Sequence, residues 1–383
     1  VKGEDISTNI EVEVIPSDSF DLLMIGNSFS DDTIQWVNEI CSDLGINANI
    51  ANLYIGGCTL DTHYNNLICN NEAYEFRTYD KETNKWKTKN STSISDALAS
   101  YDWEYVSLQQ ASGSSGIAST YSTLTSSLSK IKNIKEDVKF IWNMTWAYQQ
   151  NSTHGEFSNY NNDQLTMYQA IVDTVNERVQ SNSEIELVIP NGTSIQNART
   201  SFVGDNLTRD GFHLSYDFGR YIAGLTLVAK MTGVDISTLK YAPKGVSKAY
   251  KDIAIESVIN AINNPYEVTT SKYVEAPTYD LSNHVEIDYM PIGCAYYNSS
   301  DANNYNKLIT SASNSINFVA SKRFSKDEIP VGSIIEINEG YQYRPEAWVD
   351  DTVQRSRPDN VSMKHIEVDE NWWGNYTYRA FNI

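Results

Sequence analysis

No apolar run in the sequence approaches the roughly 18 residues that a helical membrane span requires, so membrane insertion is not expected. Basic residues are scarce. Lys and Arg total 29 against 49 Asp and Glu, a formal net charge of −20, and they form no basic stripe. Nucleic acid and anionic membrane surfaces both need a basic footprint, so neither is expected as a partner. Cysteine is sparse as well: Cys41, Cys58, Cys69 and Cys294 make no CxxC pair and no zinc-ligand spacing. No metal site or organic cofactor is expected. Cys58 and Cys69 are candidates for a bridge, and cysteine usage leaves the compartment open. Neither a Walker A sequence nor GxGxxG occurs, which removes the commonest nucleotide cradles. No signal peptide is visible in the opening "VKGEDISTNIEVEV".

What is present is tyrosine, 25 residues of it, beside 8 tryptophans and many Asn, Ser and Thr. Such a surface suits carbohydrate, because aromatic faces stack on sugar C–H groups and amides bond hydroxyls. It is equally the composition of many secreted bacterial proteins. The length of 383 residues points to two domains. Through the first part, β-branched apolar runs alternate with helical stretches, the pattern of an α/β protein with a parallel sheet. Five strands are predicted, at "FDLLMIG" (20–26), "NANIANLYIG" (47–56), "WEYVSLQQ" (103–110), "VKFIWNMTW" (138–146) and "IELVIPNG" (185–192). A hairpin insertion is predicted over about 72–92, a helix capped by Ser30 or Asp31 after the first strand, and a last helix from Ser215 to Gly233. From about 270 the texture changes to short strand-like pieces between Gly, Pro, Asn and Asp. The division expected is a first domain over 1–268 and an all-β sandwich over 269–383, the latter either sugar-binding or structural.

In an open α/β sheet the functional crevice lies beyond the carboxyl ends of the strands. After the first strand comes Gly26-Asn27-Ser28, after the second Gly56-Gly57, and after the third Gln109-Gln110. Beyond the fifth stands "TRDGFHLS", with Asp210 and His213. A hydroxyl, a glycine backbone, an amide and an acid–imidazole pair are the inventory of acyl transfer. Serine is a poor nucleophile until a base takes its proton, and His213 is the candidate base. Asp210, three residues earlier, is placed to fix the ring's tautomer. The oxyanion needs preorganised donors, for which the backbone N–H groups of Ser28 and Gly57 and the Gln110 side chain are the candidates. Asp31 and Asp32 are expected to favour the helix N-terminus electrostatically. Asp205 competes for the acid role from a poorer distance.

"GNSFSDD", the "GG" after the second strand and "RDGFHLS" resemble blocks of the SGNH (GDSL-type) hydrolase superfamily, and within it the DUF4886 branch of secreted bacterial proteins, over about residues 20–235. The resemblance implies a flavodoxin-like three-layer α/β/α domain with a five-stranded parallel sheet and esterase or lipase-type activity, often on acetylated polysaccharides. Carried over by position, Ser28 matches the nucleophile, Gly57 the oxyanion glycine, and Asp210 and His213 the acid and base. Two departures stand out. The usual Gly-Asp-Ser is Gly-Asn-Ser here. The block that normally supplies an asparagine reads "LQQASG", so Gln110 is taken as its replacement, with Gln109 and Ser112 as alternatives. Trp146, Tyr148 and His63 join Gln109 and Ser112 as candidate substrate contacts, although core or rim packing for the aromatics and a polar surface position for His63 stand beside that. A Gly-x-Ser-x-Gly elbow is missing, since residues 26–30 read Gly-Asn-Ser-Phe-Ser.

The expectation is thus a secreted or cell-surface serine esterase acting on short acyl esters of a polysaccharide or oligosaccharide. The alternatives are a lipase or thioesterase with the same triad, and a non-catalytic glycan-binding protein on a hydrolase scaffold.

Overall fold

The computed structural model describes residues 17–276 continuously and, beyond them, only 295–296, 308–309, 324–336, 344–349, 352–354, 365–368, 370–373 and 378–382. In the continuous part the order is β1 (Ser19–Gly26), α1 (Ser28–Ile34), α2 (Val37–Leu44), β2 (Asn47–Tyr54), α3 (Leu60–Cys69), β3 (Tyr74–Asp80), β4 (Lys85–Thr92), α4 (Ile94–Ala99) and β5 (Tyr105–Leu108). Then come α5 (Leu124–Lys132), β6 (Lys139–Asn143), α6 (Gln164–Thr174), β7 (Ile185–Ile189), α7 (Asn191–Arg199), α8 (Phe218–Thr232) and α9 (Lys248–Asn263).

β1 is apolar at consecutive positions, and Leu22, Leu23, Met24 and Ile25 are all buried. Such a strand has to be covered on both faces and flanked on both edges. β2 and β5 flank it in parallel, and β6 and β7 extend the sheet beyond β5. The sheet runs β4-β3-β2-β1-β5-β6-β7. This corrects the expected five-stranded parallel sheet: the five parallel strands are there, but within a mixed sheet of seven. β3 and β4 form a hairpin whose first arm lies antiparallel on β2. Left as an edge, β2 would present an unpaired ladder, and β3 satisfies it. The new edge, β4, carries Lys85, Lys87 and Lys89, and such charge discourages further strand addition.

The helices form two layers. α1, α2, α7, α8 and α9 contact one another, while α3 contacts α4 and α5. Right-handed crossovers between parallel strands put these groups on opposite faces. Among the described residues no helix is long and apolar enough to cross a membrane.

Two helix boundaries differ from expectation. α1 starts at Ser28, capped by Asn27 rather than by Ser30 or Asp31. α8 starts at Phe218 instead of Ser215, and the Ser215 hydroxyl accepts from the Gly219 N–H at 2.8 Å. α9 has no counterpart in the sequence reading. After it, the chain stays bonded to the end of α7: Thr269 N–H donates to Asn197 Oδ1 at 2.7 Å and Ser271 N–H to Thr200 Oγ at 2.8 Å. Of the later residues, Arg344–Val349 pairs antiparallel with Thr352–Gln354 and with Tyr378–Asn382. Phe324–Ser325 also pairs antiparallel with Tyr378–Asn382, Ile334–Glu336 with His365–Glu367, and Ala295–Tyr296 with Leu308–Ile309. The rest of the sandwich expected over 269–383 lies outside the described residues.

Candidate active site

The strand order reverses between β1 and β5, and a crevice opens at the carboxyl ends of two such strands. Ser28 stands there as the first residue of α1. Asn27, in an extended conformation, caps the helix by accepting the Phe29 N–H on Oδ1 at 3.0 Å. The turn is therefore both the end of a buried strand and the start of a helix, and that geometry brings the serine side chain to the surface.

The loop between α7 and α8 brings the second half of the site. It is pinched by an antiparallel bridge between Thr208 and Leu214. His213 Nε2 lies 2.8 Å from Ser28 Oγ, and its Nδ1 lies 2.7 Å from Asp210 Oδ2. Asp210 Oδ1 accepts the His213 N–H at 2.8 Å and the Phe212 N–H at 3.3 Å. Burial pulls the Asp210 carboxyl upward, but these hydrogen bonds and the neighbouring imidazole outweigh it and hold the group below its ordinary value. An ionised Asp210 can only accept, so Nδ1 carries the ring proton and Nε2 is left to accept from the Ser28 hydroxyl.

The loop is tied to the helix that begins at Ser28 by Asp32, whose side chain is 0% exposed. It accepts the Leu214 N–H at 2.9 Å and forms ion pairs with Arg209 at 3.0 Å and Arg220 at 2.7 Å. Gly219 lets the start of α8 press on the same loop, since a Cβ there would sit 2.5 Å from the Leu207 carbonyl oxygen. From the other side, Trp146 Nε1 donates to the Phe212 carbonyl at 2.8 Å while its ring stacks on Phe29 at 4.4 Å.

Gly57 sits at φ +64° in the turn from Ile55 to Cys58, which the Cys58 N–H closes onto the Ile55 carbonyl at 3.3 Å. A left-handed residue at the third place of such a turn favours glycine. The turn is fastened to the start of α1 by Asn27, whose Nδ2 donates to the Cys58 carbonyl at 3.1 Å.

Gln110 does not join this arrangement. Its Oε1 accepts from the N–H groups of Leu60 at 3.0 Å and Ala111 at 2.8 Å, and its Nε2 donates to the Thr120 carbonyl at 2.9 Å. Its amide is consumed in holding α3 to the following loop, so its assignment to the oxyanion hole is corrected. Gln109 is the glutamine on the side of Ser28, with Nε2 donating to Asn27 Oδ1 at 2.8 Å. It too is buried and bonded to protein, which removes it as a direct substrate contact.

Four other candidates take structural places, which for the two aromatics is the packing alternative. Trp146 and Tyr148 are fully buried. Tyr148 exchanges a 2.8 Å hydrogen bond with Ser112, so both help build the wall rather than a sugar platform. His63 is neither a substrate contact nor a surface residue. It lies in the core on the inner face of α3, with Nδ1 2.9 Å from the Tyr74 hydroxyl, and burial pushes its ring down to about 4. Asp205 is no rival to Asp210, being paired with Arg199 at 2.8 Å. Asp31 lies in the first turn of α1 as expected, and both acids also have cationic partners, Asp31 meeting Arg77 of the hairpin at 2.6 Å and Asp32 meeting Arg209 and Arg220. Cys58 and Cys69 are both free thiols, the first buried and the second exposed.

Sequence reasoning missed Asn27 as a clamp, Asp32 with Arg209 and Arg220 as the tie between loop and helix, and the buried amides Asn143 and Asn191. The one available signal was position: Asn27, Gln109, Asn143 and Asn191 each stand at or just beyond the carboxyl end of a parallel strand.

The family model described as "Domain of unknown function (DUF4886)" matches residues 21–261. The crystal structure of a DUF4886 family protein from Bacteroides uniformis ATCC 8492 is 38% identical, covers 67% of this chain and 100% of its own, and has a TM-score of 0.63. A family 3 carbohydrate esterase from Clostridium thermocellum is 12% identical, covering 57% of this chain and 96% of its own with a TM-score of 0.35. An acetyl xylan esterase from Geobacillus stearothermophilus is 12% identical, covering 57% and 94% with a TM-score of 0.34. No curated protein matches the chain.

Proposed function

The chain belongs to the DUF4886 family, and from that footing and the contacts of Ser28 we propose that it is a serine esterase of the SGNH type, removing short acyl groups, acetyl above all, from carbohydrate. The observation that carries this is the continuous chain from Ser28 Oγ to His213 Nε2 at 2.8 Å and from His213 Nδ1 to Asp210 at 2.7 Å.

In the first half-reaction Ser28 Oγ attacks the ester carbonyl while His213 Nε2 takes its proton. Asp210 holds the ring in place and stabilises the imidazolium. The oxyanion is received by the backbone N–H groups of Ser28 and Gly57. The first lies in the opening turn of α1, where N–H groups lack intrahelical partners, and such donors act on charge that develops only in the transition state. Collapse breaks the bond to the alcohol oxygen, which leaves with the proton from His213. Water then attacks the acyl-enzyme with His213 again as base, releasing the acid and restoring the Ser28 hydroxyl.

Support for a short acyl group is that the aromatic stack beside the nucleophile is closed and offers no open apolar surface to a long acyl chain. Phe29 and Trp146 are fully buried against each other, at 4.4 Å. Support for carbohydrate is compositional, the abundance of tyrosine and amide side chains. A series of p-nitrophenyl esters from acetate to octanoate tests the reading. Acetate is expected to be hydrolysed fastest, and Ser28→Ala and His213→Ala to lose turnover. A preference for octanoate would overturn the short-chain assignment. Turnover surviving in Ser28→Ala would overturn the nucleophile.

A further inference from the structure

Four buried amides run along the carboxyl edge of the parallel strands in one hydrogen-bonded line. Asn191 Nδ2 donates to Asn143 Oδ1 at 2.7 Å, Asn143 Nδ2 to Gln109 Oε1 at 2.8 Å, and Gln109 Nε2 to Asn27 Oδ1 at 2.8 Å. Asn27 Nδ2 then donates to the Cys58 carbonyl at 3.1 Å. None of the four is more than 1% exposed.

The direction of the line is not arbitrary. Which end of an amide is oxygen follows from its partners, and Asn27 has a backbone partner on each side. Its Oδ1 faces the Phe29 N–H, which can only donate, and its Nδ2 faces the Cys58 carbonyl, which can only accept. Gln109 must then present Nε2 to Asn27, Asn143 must present Nδ2 to Gln109, and Asn191 must present Nδ2 to Asn143. The far end, Asn191 Oδ1, has no hydrogen-bond partner among the described residues, so the line spends its polarity toward the Gly57 turn and ends on an unpaired acceptor.

We propose that Gln109 and Asn143 are positioning residues: through Asn27 they set the spacing between the Ser28 turn and the Gly57 turn, and thereby the two backbone donors that receive the oxyanion. This rests on the reading of Ser28 as the nucleophile. Neither residue touches substrate. Their effect is on where two N–H groups point, and a misplacement of about 1 Å costs on the order of 100-fold in rate.

Gln109→Met removes both of that residue's bonds at similar volume. Asn143→Asp keeps the shape but turns the donor facing Gln109 into an acceptor, reversing the line at one link. Active sites are counted by labelling Ser28 with a fluorophosphonate. For each variant, kcat per labelled site and KM for p-nitrophenyl acetate are measured, together with the affinity of phenylboronic acid, whose serine adduct carries a tetrahedral anion. Both variants are expected to lose roughly 100-fold in kcat per labelled site with KM nearly unchanged. Boronate affinity should fall in parallel, and the shape of the pH–rate profile should persist because Asp210 and His213 are untouched. Unchanged kcat per site and boronate affinity, or a loss confined to the labelled fraction and thermal stability, overturns the proposal while leaving the esterase reading intact. A wild-type protein that neither labels nor turns over removes both.

Discussion

Asp210 is a case where geometry and burial pull in opposite directions. Burial alone would raise its carboxyl, yet three hydrogen bonds from His213 and Phe212 leave it below the ordinary range. Its contribution is the tautomer it enforces. Asp210→Asn is therefore expected to leave Ser28 and His213 near each other and still lower kcat on p-nitrophenyl acetate by about 10³–10⁴-fold, because the amide lets the ring proton sit on the wrong nitrogen. Steady-state kinetics decide it, and a loss under tenfold would remove Asp210 from the mechanism. His63 gives the opposite case, a histidine with no part in the chemistry. Its folded value is about 4, against roughly 6.5 in an unfolded chain. Between those values the unfolded chain binds a proton that the folded one refuses. Stability is then fully present above about 6.5 and declines as pH falls toward 4, by about 3 kcal/mol for this group. In His63→Gln the fall of Tm across that window should be flatter than in wild type, and equal slopes would refute it. The sequence contained the signal for this burial. Leu60, His63 and Leu67 recur at helical spacing and all face inward. It did not contain the choice between Gln109 and Gln110. Adjacent residues leaving a strand point to opposite sides, and nothing in "LQQASG" says which side faces Ser28.

At the scale of elements, the site depends on three segments that have no covalent reason to meet: the start of α1, the turn after β2 and the loop before α8. Ser28, Asp210 and His213 were legible because each sits in a short motif at a segment boundary. The ties between segments were not, because an ion pair such as Asp32 with Arg209 and Arg220 spans more than 170 residues of sequence. The two acids after the serine separate by burial. Asp32 is 0% exposed and its two guanidiniums are 16% and 11% exposed. Asp32→Asn leaves two largely buried cations without their partner and is expected to cost about 3–5 kcal/mol in urea unfolding. It should also lower kcat, since the Leu214 N–H bond that anchors the histidine loop is weakened. Asp31 and Arg77 are 30% and 21% exposed, and Asp31→Asn should cost under about 1 kcal/mol. Similar costs for the two variants would show that the loop is held by packing, with Gly219 and Trp146, and not by the buried carboxylate.

For the whole molecule, alternation of apolar strands and amphipathic helices was enough to read an α/β sheet, and the carboxyl-edge rule was enough to find the crevice. The strand count was not legible, because a polar-aromatic hairpin looks like an insertion until a sheet edge is there to receive it. β3 continues the sheet only because β2 has an open ladder. Net charge is the other property that belongs to the chain as a whole. At −20 it produces a negative field that no single residue near Ser28 accounts for, and Asp32 and Asp31, the acids nearest Ser28 in sequence, are already paired. That field acts on substrates according to their own charge and according to salt. At about 0.01 M ionic strength it reaches roughly 30 Å, and at about 0.15 M only some 8 Å. A neutral ester such as p-nitrophenyl acetate should show kcat/KM independent of salt across that range. A p-nitrophenyl ester bearing a free carboxylate should be repelled at low salt and gain several-fold in kcat/KM as salt is added, the inverse of electrostatic steering. The gain should sit in kcat/KM and vanish from kcat, because the field slows encounter and leaves the bound complex alone. If salt leaves the anionic ester as unmoved as the neutral one, the net charge is remote from the crevice and the field takes no part in choosing substrates.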